Sequence, residues 1–342
     1  MKKSLVVVTS LLFLVVFIGC MRPVRAAEKV IELKMAELYP VTHTLHKEIF
    51  VPWAADLEKR TNGRMKVMFY PSEALGKAKD HYDLAARGIA DLTDVPMQYM
   101  PGRFPLSSVL DLPLGIPSSK VGTRVGWELY DKYLRTEFPG VKIISYETTD
   151  PGHLFTTKKQ VKTLADVKGM RLRVAGPWIT RTLKELGGSP LNIPGPDAYD
   201  ALQKGMAEGL LMPDSGIIDF KLEDLIKYST AEDLYILPSV CVMNLNTYNS
   251  LPPDLKKIFD EMTGPSLRDR ISTAFDLHGQ EAREVMKKRG VEVIKLSPDQ
   301  KKAWEGKFQI VRDAWVAEMD AKGLPGKKVY EEAVSLVTKY SK

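Results

Sequence analysis

Leu164-Ala165-Asp166-Val167-Lys168-Gly169-Met170-Arg171-Leu172-Arg173-Val174 reads as a turn at Lys168-Gly169 followed by a short strand. The strand carries arginines at alternate positions, and a period of two puts Arg171 and Arg173 on one face. An arginine inside an apolar strand is unfavourable unless its guanidinium meets an anion, so a partner is expected. That partner is either an internal Asp or Glu or the carboxylate of a ligand.

Short strands and helices alternate on both sides of this stretch. Toward the N-terminus, 31–36 has a period of two, and 45–61 has helical spacing closed by Asn62-Gly63. A strand at 65–69 and a helix at 80–87 before Gly88 follow. Dense Pro and Gly between 96 and 117 mark a loop-rich link, and 141–146 is another strand. Thr148-Thr149-Asp150-Pro151-Gly152 has turn composition and is a candidate crossing between two lobes. Toward the C-terminus come helices at 178–186, closed by Gly187-Gly188, and at 198–205.

The last third is mostly helical. A helix opens at Pro252-Pro253-Asp254, and an amphipathic one runs from Ser266 to near Gly290. At 1.5 Å per residue the latter spans about 36 Å, long enough to brace two lobes. A strand at 291–296, a helix from Ser297-Pro298 to about Lys322 and a final helix at 328–340 complete the chain. Strands alternating with crossover helices predict an α/β fold.

The 342 residues, 44% hydrophobic and 27% charged, have the composition of a globular protein of about two domains. Lys2 and Lys3, the apolar run 5–18 and Val24-Arg25-Ala26 have the layout of a secretory signal, expected to be cleaved after Ala26. Two other fates are possible. Phe17-Ile18-Gly19-Cys20 resembles a lipoprotein box, although Phe and Ile are atypical of it, and an uncleaved anchor would need a longer apolar run. The formal charge of +6 is misleading, because Lys2, Lys3, Arg22 and Arg25 lie in 1–26, which holds no acid. Without that segment the charge is +2, which removes the argument for nucleic-acid binding. Only Cys241 remains of two cysteines, so no internal disulfide can form in an oxidising compartment.

Gly76-Lys77 and Gly326-Lys327 lack the spacing of a phosphate loop, and neither a dinucleotide fingerprint nor a Gly-x-Ser-x-Gly elbow occurs. His43 and His46, with His81 as a third ligand, are a weak metal candidate set against solvent-exposed or capping roles. Glu223 and Asp224 read as the solvated face of a helix rather than acid/base partners, since helical neighbours point apart.

Several stretches together resemble the DctP-type substrate-binding proteins of tripartite ATP-independent periplasmic (TRAP) transporters. In order they are Thr61-Asn62-Gly63-Arg64 with Val67 and Pro71; Leu75-Gly76; Gly88-Ile89-Ala90-Asp91; Leu110-Asp111-Leu112-Pro113; the 164–174 segment; 199–205; and 248–253. The resemblance implies a two-lobe periplasmic binding protein fold of type II-like α/β architecture, with a long helix bracing both lobes. The expected division is 1–26 signal peptide, 27–150 with 239–278 as lobe I, and 151–238 with 279–342 as lobe II. It further implies that Arg173 pairs with a ligand carboxylate in the interlobe cleft. Gly176 at the next helix start would offer N–H groups to the anion, and Trp178 would wall the cleft or pack in a core.

Three positions depart from the family pattern. His153 stands where many members have arginine, Gly195 where an aromatic occurs, and Met212 where a polar ligand residue occurs. Each change makes the pocket less cationic, roomier or more apolar. A monocarboxylate with an apolar or aromatic part is therefore expected, rather than a four-carbon dicarboxylate or sialic acid. Tyr39, His43 and Tyr99 follow strands of the first lobe, where α/β sheets place ligand contacts, although each is equally readable as structural.

The expected role is a periplasmic receptor without catalysis or cofactor. It would deliver an organic acid to the small and large membrane permease subunits. The alternatives are an exported enzyme acting through His153 or His43, and a receptor serving a sensor.

Overall fold

The computed structural model describes residues 30–342; the expected signal segment and the lipoprotein alternative at Cys20 lie outside the described residues. Two sheets form the frame. The first has strands β1 (Ile31–Ala36), β2 (Met65–Tyr70), β3 (Leu92–Pro96), β4 (Val141–Thr148) and β10 (Pro238–Asn244), in the order β2-β1-β3-β10-β4. The second is β11-β9-β5-β8-β6-β7, formed by β5 (Gly152–Thr156), β6 (Arg171–Val174), β7 (Ser189–Asn192), β8 (Gly209–Pro213), β9 (Tyr228–Tyr235) and β11 (Glu292–Ile294). In the first sheet β1 runs parallel to β2 and β3, whereas β10 is antiparallel to both β3 and β4. In the second, β6 lies parallel to β7 and β8, and β5 is antiparallel to β8 and β9.

Both faces of each sheet are covered, as the period of two requires. Val240 and Val242 of β10 pack with Val95 and Tyr146, while Cys241 and Met243 pack on the other side with Leu33, Trp53 and Leu92. In β8, Leu211 joins Leu154 and Leu172, while Leu210 and Met212 join Phe155 and Ile217.

The chain passes between the sheets at two adjacent places. One is the predicted turn between β4 and β5, and the other joins β9 to β10. They are tied together, the Thr149 N–H donating to the Leu237 carbonyl at 3.1 Å and the Leu237 N–H to Thr149 Oγ1 at 3.1 Å. The helix Pro265–Lys288 crosses beside them. Its Leu267, Ile271 and Phe275 enter the first lobe's core, and Ala282 and Met286 enter the second's. Gly279 makes the close passage possible, since a Cβ there would lie 2.6 Å from Asp150 Oδ2 in the first crossing. The expected bracing helix is thus present with its apolar face split between lobes.

Several expectations need correction. Residues 279–342 do not all pack in lobe II. The helix Pro298–Ala321 places Trp304 in the second lobe's core but Val311 and Trp315 in the first's, where Val329 and Leu336 of the helix Gly326–Tyr340 join them. Apolar spacing predicted the helices but carries no record of which lobe receives the apolar face. Glu223 and Asp224 sit in turns, not on a helix, and Asp224 pairs with Arg289 at 2.9 Å.

Candidate functional site

The 164–174 segment places the two arginines differently. Thr163 and Asp166 form a reciprocal cap on the short helix Leu164–Val167, and Gly169 (φ 74°) turns the chain into β6. Arg171, at the exposed start of β6, lies 3.4 Å from Glu208 and donates to the Gly205 carbonyl. Arg173 lies two residues deeper and is 2% exposed. Its Nε donates to the Ile193 carbonyl at 2.7 Å and Nη1 to the Leu211 carbonyl at 3.3 Å. These neutral acceptors fix the guanidinium plane but use two of its five N–H donors. Among the described residues no carboxylate lies within ion-pair distance of it.

Arg173 opens on a cavity of about 60 Å³ between the lobes. Met212, Gly195 and Phe220 line it from the second lobe; Tyr39, His43, Tyr99 and Glu147 line it from the first. Six of the nine expected ligand-site residues therefore share one cavity: Arg173, Met212, Gly195, Tyr39, His43 and Tyr99.

The other three lie elsewhere. His153 faces an outer cleft with Asp233 and Arg283; its Nδ1 donates to the Glu232 carbonyl at 2.9 Å and its Nε2 is 3.5 Å from Asp214. Trp178 borders a separate cleft of about 240 Å³ with Arg181 and Asp111. Gly176 (φ 97°) directs its N–H to Asn192 Oδ1, away from an anion at Arg173. Its role is close approach between lobes, since a Cβ there would lie 2.9 Å from Gln98 Cβ.

The cavity is not roomier at Gly195. A Cβ on Gly195 would lie 2.7 Å from Phe220 Cζ, so the Phe220 ring occupies the space that an aromatic at 195 would take. Phe220 ends the helix Asp214–Asp219 that follows β8, and nothing in its local sequence marked it.

The cleft mouth is held shut by polar contacts between lobes. The Thr44 N–H and hydroxyl both donate to Asp219 Oδ1, at 3.1 and 2.9 Å. His43 Nε2 is 3.4 Å from Asp219 Oδ2, and His278 Nε2 is 3.2 Å from Oδ1. The Gly195 N–H donates to Tyr99 Oη at 3.1 Å. Burial works against ionisation of Asp219, but His43, His278 and the Thr44 N–H outweigh it and hold its carboxyl below the usual range. Burial likewise lowers the pKa of His43, against the pull of Asp219. His43 also stacks on Tyr39, with ring centroids 3.9 Å apart.

Behind Tyr39 lies a buried acidic group. Tyr39 Oη and Ser239 Oγ donate to Asp94, and the Cys241 thiol lies 3.3 Å from Glu147 Oε1. Burial pushes the carboxyls of Asp94 and Glu147 upward, Glu147 far above its ordinary value with the neighbouring Asp94 charge adding to the effect. Glu147 sits one residue from the end of β4, where strand-end reasoning could have found it. The proposed His43, His46 and His81 metal set is not brought together. His46 pairs with Glu37 at 2.7 Å, and His81 Nδ1 lies 2.9 Å from Thr93 Oγ1.

This geometry agrees with what the chain is similar to. The family model for bacterial extracellular solute-binding protein, family 7 (DctP), matches residues 35–318. A TRAP solute-binding protein from Rhodoferax ferrireducens T118, solved with copurified benzoate, is 26% identical; the match covers 91% of this chain and 99% of that one with a TM-score of 0.86. A marine metagenome TRAP solute-binding protein described as specific for aromatic acid ligands, solved with metahydroxyphenylacetate, is 27% identical with a TM-score of 0.88, covering 91% of this chain and 100% of that one. The C4-dicarboxylate-binding periplasmic protein DctP of Rhodobacter capsulatus is 22% identical over 275 residues, 79% of this chain and 82% of that protein. With two α/β lobes closing on a buried arginine, the chain belongs to family 7 of the bacterial extracellular solute-binding proteins, the DctP-type receptors of TRAP transporters.

Proposed function

We propose that this receptor captures a monocarboxylate with an apolar or aromatic part, and hands it to the small and large membrane subunits of a TRAP permease. The observation that carries the reading is Arg173: a buried guanidinium with three spare donors, facing a cavity, with no carboxylate of the described residues beside it. A bidentate ligand carboxylate supplies the missing charge and the planar acceptor pair. Met212 and Phe220 provide apolar contact for the rest of the molecule. The benzoate and metahydroxyphenylacetate held by the two structural neighbours support the same ligand class.

The reading assigns the chain no catalytic step; ligand capture and lobe closure are its work. Family membership and the signal-like segment at 1–26 support a periplasmic location, and no described helix is long and apolar enough to cross a membrane.

The test is a thermal-shift screen followed by calorimetry with benzoate, phenylacetate, branched aliphatic acids and succinate. Stabilisation without turnover by the aromatic or branched monocarboxylates is expected. Tight succinate binding with no response to the others would refute the proposed ligand class.

A further inference from the structure

Two buried acceptors on the cavity wall opposite Arg173 lack a hydrogen bond of good geometry from any described residue. Glu147 is 0% exposed and lines the cavity, and its Oε2 has no hydrogen-bond partner among the described residues. Gln98 lines the same cavity, and its Oε1 is also buried without a partner. An unpaired buried acceptor is a substantial penalty, and two on one cavity wall indicate that a donor belongs there. Arg173 is not that donor. It lines the cavity from the other lobe and lies beyond ion-pair distance of Glu147, so the two opposite groups leave a space between them.

The surroundings of Glu147 define the donor further. Its Oε1 faces the Cys241 thiol, and Asp94 beside it takes hydroxyl donors from Tyr39 and Ser239. The Asp94, Glu147 and Cys241 ligating atoms all lie within 4.8 Å of one another, too close for two bare carboxylates without a shared proton or a cation. Four protein donors attend the cluster: the hydroxyls of Tyr39, Ser239 and Ser145 and the Cys241 thiol. A proton held between the carboxyls therefore completes it, and leaves Glu147 Oε2 as a neutral acceptor that suits a hydroxyl better than an ammonium.

We infer that Glu147 receives a hydroxyl of the bound acid, so that the receptor selects hydroxylated apolar or aromatic monocarboxylates over their unsubstituted parents. The inference rests on the carboxylate reading of Arg173 and narrows it: one end of the ligand is an anion, the other a neutral donor.

Calorimetry with benzoate, 3- and 4-hydroxybenzoate, the matching methoxybenzoates and 3-(aminomethyl)benzoate tests it. At least one hydroxylated acid should bind about tenfold more tightly than benzoate and than its own methyl ether, which keeps the oxygen but loses the donor. In Glu147→Met that preference should collapse to within about threefold, whereas Glu147→Gln, which retains an acceptor, should preserve it. The Gln variant also guards against a Met variant that fails to fold. Equal binding of benzoate and both hydroxylated acids, or a preference that survives in Glu147→Met, would overturn the inference while leaving the carboxylate reading intact. Preference for the aminomethyl acid would overturn it by showing an ionised Glu147, and loss of binding on chelation would do so by showing a cation in the cluster. Failure of every carboxylate to bind would sink both readings.

Discussion

His43 Nε2 lies 3.4 Å from Asp219 Oδ2, joining a loop of the first lobe to the last turn of the helix Asp214–Asp219 in the second. Thr44 adds two donors to the same carboxylate, so one side chain carries most of the polar contact across the cleft mouth. Asp219→Asn should favour the open form and raise the ligand dissociation constant about tenfold, roughly 1.4 kcal/mol. Calorimetry reads the affinity, and small-angle scattering of the ligand-saturated protein reads the lobe opening. A variant as compact and as tight-binding as the wild type would show that Asp219 does not hold the cleft.

Arg173→Met separates binding from folding. The described residues give this guanidinium two carbonyl acceptors and no carboxylate, so its removal strands no acid among them. Affinity for a carboxylate should fall at least about 30-fold, some 2 kcal/mol, because the ligand anion loses its counter-charge. The unfolding midpoint of the ligand-free protein should hold or rise, since a buried charge is exchanged for an apolar chain of similar length. A large fall in the midpoint with unchanged affinity would mark Arg173 as structural.

Gly195 and Phe220 form a reciprocal pair. Adding a methyl group at 195 presses on the ring edge at 2.7 Å, and the half-buried ring packs against the second lobe's core. Gly195→Ala should destabilise the ligand-bound protein by about 1–3 kcal/mol. Phe220→Leu in the same chain should recover much of that loss, giving a coupling energy of about 1 kcal/mol or more in a double-mutant cycle. Additive effects would mean the ring has another place to go.

The His153 imidazole offers a stability test outside the cavity. Burial opposes its charge, but Asp214 beside it and the Glu232 carbonyl prevail and raise its pKa from 6.5 to about 9. A folded pKa above the unfolded one means its contribution is fully present below about pH 6.5 and is lost as pH rises through about 9. The stability difference between wild type and His153→Leu should therefore shrink across that window, by on the order of 3 kcal/mol. Urea denaturation of both proteins at pH 6, 7.5 and 9 measures it. Arg283, 2.6 Å from Asp214, keeps that carboxylate paired in the variant. A difference that stays constant or grows with pH would contradict the assignment.

Much of the frame is written in local pattern. Alternation marked β1 and β6, Asn62-Gly63 and Gly290 marked helix ends, and the 148–152 turn marked a lobe crossing. The second crossing was less visible, because β9 and β10 follow each other through Ile236-Leu237 with no glycine to separate them. Within the site, the strand pattern marked Arg171 and Arg173 alike, because a charged residue in an apolar strand demands a partner, and the family resemblance singled out Arg173. Asp219 and Phe220 were not marked, since an acid at a helix end and an aromatic beside it are ordinary in isolation, and Glu147 carried only the weak mark of its place near the end of β4.

The sequence by itself determined the α/β elements, the bracing helix and a strand with two alternate arginines, either of which needs a partner if buried. Those follow from periodicity and from the cost of charge in an apolar strand, which act over a few residues. Only the tertiary structure decided which side chains share the cavity. It set His153, Gly176 and Trp178 aside, and brought Glu147 of β4 and Phe220 to the wall around Arg173. The reason is geometric: the cavity is assembled from both lobes where two crossings and a long helix meet, and spacing along the chain does not encode that convergence.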